Sequence, residues 1–165
     1  LARFYYEYPL CEMDMYFNAP LSDNIIASLE NLLSPKLLEK NEDEKTEYLL
    51  KFSQNAFNYK TDDEQFGREK YFFPDEVFYY PYSDCEDRSI LFTRLVKHFT
   101  NRQCIGLDFP GHVNTAVAFE KEISGDYIQL KNSKYSVCDP TYSGAPPGYL
   151  DSKYKKFQPE IITVN

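Results

Sequence analysis

The chain has no cluster of lysine and arginine. Its 18 basic residues are outnumbered by 26 acidic ones, for a net charge of -8. That balance excludes nucleic acid as a natural partner and argues against an anionic membrane surface. A basic or amine-bearing partner fits better, although acidity of this size more often serves solubility alone. No apolar run approaches the roughly 20 residues that span a bilayer. There is no C-x-x-C pair among Cys11, Cys85, Cys104 and Cys138, which removes a zinc knuckle or a dithiol redox motif. Cysteine is also too sparse for a disulfide scaffold. Internal repeats, low-complexity tracts and a signal peptide are lacking. The chain begins at Leu1, which reads as a processed or trimmed start.

What is present is a core. The 15 tyrosines and 13 phenylalanines exclude a disordered chain. A length of 165 residues is most simply one domain, with no need of metal or disulfide staples. The partial alternation of residues 1–19 predicts a strand or two. Pro20-Leu21-Ser22-Asp23 then opens a helix with Ile25, Ile26, Leu29, Leu32 and Leu33 on one face, ended or kinked by Pro35. The charged stretch Glu39 to Glu47 reads as a solvated face or loop. A second helix follows, from Tyr48 to about Asn58. Residues 59–82 have no clear period and read as an ordered, aromatic-packed loop.

The clearest element starts at Ser83. Ser83 and Glu86 have the S-x-x-E spacing of a capping box, and Ile90, Leu91, Phe92, Leu95, Val96 and Phe99 form a broad apolar face. Arg88, Arg94 and Lys97 point elsewhere. After Asn101 come runs of strand character at Gln103–Phe109, His112–Phe119, Tyr127–Leu130 and Lys134–Cys138, with turns at Pro110-Gly111 and Lys131-Asn132-Ser133. Beyond Asp139-Pro140 a Pro-, Gly- and Tyr-rich segment is expected to wrap the surface. The predicted class is α+β, a buried central helix packed on an antiparallel sheet after N-terminal helices. The expected parts of one domain are 1–58, 59–142 and 143–165.

Cys85 falls in the first turn of that central helix, where unpaired N–H groups and the helix dipole favour an anion. A thiolate needs such a setting, since the deprotonated sulfur is the nucleophile. The plainer alternative is a small buried hydrophobe. Acyl transfer through a thiol also needs a base and a group to orient it, and only two histidines are available. His98 lies on the same helix, 13 residues on, hence roughly 20 Å away. It reads as a structural residue near the helix C-terminus. His112, opening a strand after Pro110-Gly111, is the candidate base. Asp139 at a strand end is the candidate orienting acid, with Asp108 and Asp126 as competing carboxylates.

These stretches carry a resemblance. D-C-E-D-R-x-x-L-F around Cys85, G-H-V-x-T-A-V at Gly111 to Val117 and D-P-T at Asp139 to Thr141 follow the order seen in the transglutaminase-like superfamily, and the match spans about residues 74–142. The resemblance implies a papain-like core and mechanism, with Cys85 as nucleophile, His112 as base and Asp139 as orienting acid. Relatives include protein-crosslinking acyltransferases, bacterial cysteine proteinases and peptide amidases. The implied substrate is a peptide or protein amide, with hydrolysis favoured over transamidation because nothing reads as an amine pocket.

Many relatives have Gly-x-Cys where this chain has Ser83-Asp84-Cys85, and an aromatic residue soon after the histidine where this chain has Val113-Asn114-Thr115. The oxyanion donors implied are the Cys85 N–H and an upstream side chain, for which Gln54 and Gln65 are candidates. Asp84 and Glu86 match a D-C-E arrangement that binds calcium in a subset of the bacterial proteinases, though two carboxylates are few for that ion and helix capping is their simpler role. By analogy the compartment leans extracytoplasmic.

The alternative is the same fold kept as a binding or structural module, presenting Tyr142, Tyr149, Tyr154 and Phe157. Geometry separates the two. A plain up-down-up meander would hold His112 and Asp139 about 20 Å apart. A triad therefore requires Glu120–Asp126 to be a loop excursion, with the strand ending at Asp139 returning beside His112.

Overall fold

The structure is a computed structural model that describes residues 12–165; Cys11 and most of the expected N-terminal strand region lie outside them. The described part of that region is a helix, α1 (Met13–Asn18), rather than a strand. A short apolar run does not distinguish the two periods. Here Phe17 is drawn into a core with Ile90, Val113 and Ile162.

Helix α2 (Asp23–Leu37) buries Leu29, Leu33 and Leu37, with Leu32 left outside. Pro35 sits in its last turn, so the helix ends just after it. Helix α3 (Glu42–Asn55) begins inside the charged stretch expected to be a solvated face or loop. Asn41 caps it, accepting from the Glu44 N–H at 3.0 Å while Glu44 accepts from the Asn41 N–H at 2.9 Å. The acidic run is thus a first helical turn, where the dipole favours negative charge.

Residues 59–82 hold more regular structure than expected. Strand β1 (Asn58–Tyr59) is followed by α4 (Asp62–Phe66), a 3-10 turn at Pro74–Phe78 and β2 (Tyr82–Ser83). Strands β1 and β2 pair in parallel, Tyr59 opposite Ser83. Helix α5 (Cys85–Phe99) follows and is buried along most of its length. It packs on α3, on the 3-10 turn and on the sheet.

The sheet comprises β3 (Cys104–Phe109), β4 (His112–Val117), β5 (Tyr127–Leu130), β6 (Ser133–Cys138) and β7 (Glu160–Thr163), antiparallel in the order β5-β6-β4-β3-β7. Its strand β7 was expected to be part of a surface wrap. It pairs with β3 because Ile161 and Ile162 complete the apolar faces there. Helices packed on one antiparallel sheet make this an α+β protein. Among the described residues no helix is long and apolar enough to cross a membrane.

Candidate active site

The helix that carries Cys85 starts one residue later than the S-x-x-E spacing predicts. Asp84 is the N-cap, Cys85 the first helical residue, and the Asp87 carboxylate accepts from the Asp84 N–H at 3.2 Å. Two acceptor-bearing residues in succession made both registers chemically reasonable. The parallel bridge holds Ser83 extended, and its hydroxyl accepts from Arg88 Nε at 3.1 Å. Arg88 does not face solvent. It is 2% exposed and also donates to the Phe57 carbonyl at 2.8 Å. Cys85 remains in the first turn. Glu86, released from capping, accepts the Cys85 thiol at 3.0 Å.

His112 and Asp139 lie at the same end of the sheet. After β4 the chain leaves on a loop, β5 and β6 form an outward hairpin, and β6 returns antiparallel to β4 with Thr115 opposite Cys138. The next residue, Asp139, therefore reaches the start of β4, and its Oδ2 lies 3.0 Å from His112 Nε2. The other carboxylate oxygen accepts from the Thr141 and Tyr142 N–H groups at 2.8 and 3.1 Å. Tyr154 stacks on the His112 ring, centroids 4.8 Å apart and nearly parallel. One turn along α5, Ser89 donates to the Val113 carbonyl at 3.1 Å and locks the helix start to β4. Of the competing carboxylates, Asp126 is occupied by the Leu150 N–H and Lys155, and Asp108 lines the cleft beside Cys85. His98 faces Glu30 at 3.0 Å, remote from the cleft.

Cys85 and His112 share a cleft with two arms of about 300 Å³ each, and Tyr59 and Gly111 line both arms. Neither glutamine singled out from the sequence lines it. Gln54 is buried and spends its amide on the Asp139 and Ala145 carbonyls, at 2.9 and 3.0 Å. It positions the carboxylate instead. Nothing in the chain's neighbouring residues singles out Tyr59 among 15 tyrosines; its pairing with Ser83 sets it beside the thiol. Burial, then the nearby Cys85, Asp84 and Glu86, push its phenol up to about 12, so its hydroxyl stays a donor at neutral pH.

The electrostatics oppose a thiolate. Burial raises the Cys85 thiol well above its usual range and the adjoining Glu86 carboxylate raises it further, against the Val113 N–H that favours the anion. Burial and Asp84 push Glu86 up to about 9, and burial with Asp84 pushes Asp62 up to about 7. Asp139 is the exception. Burial works to raise it, but the His112 contact and the two backbone N–H groups prevail and hold it below the ordinary carboxylate value.

Asp62, on α4, adds a third carboxylate to the pair named from the sequence. Ligand oxygens of Asp62, Asp84 and Glu86 lie within 4.8 Å of one another, and Asp84 Oδ1 is buried without a hydrogen-bond partner. Three hard oxygen donors with an unsatisfied buried oxygen fit a divalent cation such as calcium better than two did. Searches against family models, curated proteins and solved structures found no match to the chain.

Proposed function

We propose that the protein is a cysteine-dependent acyl-transfer enzyme of transglutaminase-like type that hydrolyses peptide or protein amides. One observation carries the reading: a histidine oriented by a buried carboxylate shares a cleft with a partly exposed thiol at a helix start. Asp139 engages His112 Nε2, which leaves Nδ1 to take the thiol proton. Rotation of the Cys85 side chain away from Glu86 delivers that proton. The sulfur attacks the amide carbonyl, the oxyanion is met by the Cys85 N–H and the Tyr59 hydroxyl, and His112 protonates the departing amine. Water, activated by the same imidazole, releases the acyl group. Asp62, Asp84 and Glu86 would hold a divalent cation, which supplies positive charge beside the sulfur.

A fluorogenic peptide-library screen, run with and without added primary amines and calcium, tests the reading. Turnover is expected in the wild type and none in Cys85→Ala. Asp139→Asn should lower kcat about 10²- to 10⁴-fold, and Tyr59→Phe roughly 10²- to 10³-fold with KM little changed. Wild-type rates in Cys85→Ala would remove the proposal. The thiol's hydrogen bond to Glu86 instead of His112 favours a second reading, the fold retained as a non-catalytic binding module. Ligand binding without turnover in any condition would select it.

A further inference from the structure

The two arms of the cleft differ in charge. Among the described residues, the arm on the side of α4 is lined by Asp62, Asp63, Glu69, Asp84, Glu86 and Asp108, and by no lysine or arginine. The other arm carries Asp139 and Asp151, partly offset by Lys153. Buried cations near the acidic arm are already committed. Lys70 Nζ pairs with Glu76 at 2.9 Å, and Arg88 is held by Ser83 and Phe57. Asp84 lines the arm, is 5% exposed and has an Oδ1 without a hydrogen-bond partner. Tyr59, Tyr71 and Phe109 add aromatic surface to that wall. Carboxylates and aromatic rings lining one arm are the complement of a long side chain with an apolar stem and a cationic head.

We propose that the acidic arm is a substrate subsite for a lysine or arginine side chain next to the attacked amide, so that the protein acts on basic peptide segments. This rests on the acyl-transfer reading above. A divalent ion on Asp62, Asp84 and Glu86 would not abolish it. Asp63, Glu69 and Asp108 stand outside that trio, and the arm stays negative with the ion in place. The overall charge of -8 adds long-range attraction for the same substrates.

The test is equilibrium binding of blocked peptides to the Cys85→Ala variant of the 165-residue chain. Each peptide places a single lysine, norleucine or glutamate at successive positions of one neutral sequence. Titrations are run at low and high salt, with calcium and with chelator. At one position lysine is expected to bind at least tenfold more tightly than norleucine, in calcium and in chelator alike, and glutamate more weakly than either. The charge-reversed Asp63→Lys/Glu69→Lys variant, altered only at exposed residues, should lose the lysine preference and still bind the norleucine peptides. Equal binding of lysine and norleucine peptides overturns the subsite. A lysine preference that vanishes in calcium overturns it too, and assigns the carboxylates to the metal alone. Failure of every peptide to bind removes the underlying peptide reading, and this one with it.

Discussion

At Cys85 two neighbours compete for one proton. Glu86 holds it in the resting arrangement at 3.0 Å, and burial together with that carboxylate keeps the thiol neutral. Removing the charge must lower the thiol's pKa, because the thiolate loses a like-charged neighbour. In metal-free buffer the pH–rate profile of Cys85 with iodoacetamide is therefore expected to move to lower pH in Glu86→Gln; an unchanged or higher midpoint would contradict the assignment. The midpoint is the informative quantity. Cys104 and Cys138 are 3% and 0% exposed, so faster labelling of Cys85 reports access alone. The residue types Cys85, His112 and Asp139 and their order were readable from the sequence. Asp62 and Tyr59 were not, because neither has a distinctive neighbour in the chain. Only the pairing of β1 with β2 and the turn into α4 bring them to the thiol.

Among the elements, those with a strong period were legible and those held by tertiary pairing were not. Helix α5 declared itself by its apolar face, and β3 to β6 by short apolar runs closed by turns. Strand β7 and helix α1 did not, since each is short and depends on the other. They meet over Gly106, where an added Cβ would lie 2.7 Å from the Phe17 ring and 3.1 Å from Ile162. Glycine there lets α1 and β7 close on β3. Gly106→Val is expected to destabilise the fold by about 1–3 kcal/mol through overpacking, read by denaturant unfolding, while Gly67→Ala at an exposed position acts through its left-handed backbone, φ 68°, instead. Unaltered stability in Gly106→Val would mean that α1 does not dock as described.

For the whole molecule, the buried carboxylates set an unusual pH dependence. Asp62 and Glu86 have folded values near 7 and 9, above the roughly 4 of an unfolded carboxyl. Between those limits the folded state binds more protons than the unfolded one, so stability falls as pH rises from about 4 to 9. Asp139 acts oppositely, its contribution being lost only as pH falls through its depressed value. The melting temperature is expected to decline from mildly acidic to alkaline pH, less steeply in Glu86→Gln, and calcium should restore it at the alkaline end. A melting temperature that climbs with pH across this window would contradict the protonated cluster.

Asn18 offers a last consequence. Its side-chain amide donates to the Thr163 carbonyl at 2.9 Å and accepts from the Asn165 N–H at 2.7 Å. It thereby satisfies two backbone groups at the C-terminal end of the edge strand β7, groups of the kind a neighbouring strand would otherwise seek. One asparagine thus works as a stopper against strand addition. Growth of the sheet is thereby hindered at its β7 border, which narrows one route by which a tyrosine- and phenylalanine-rich chain would self-associate into extended ribbons.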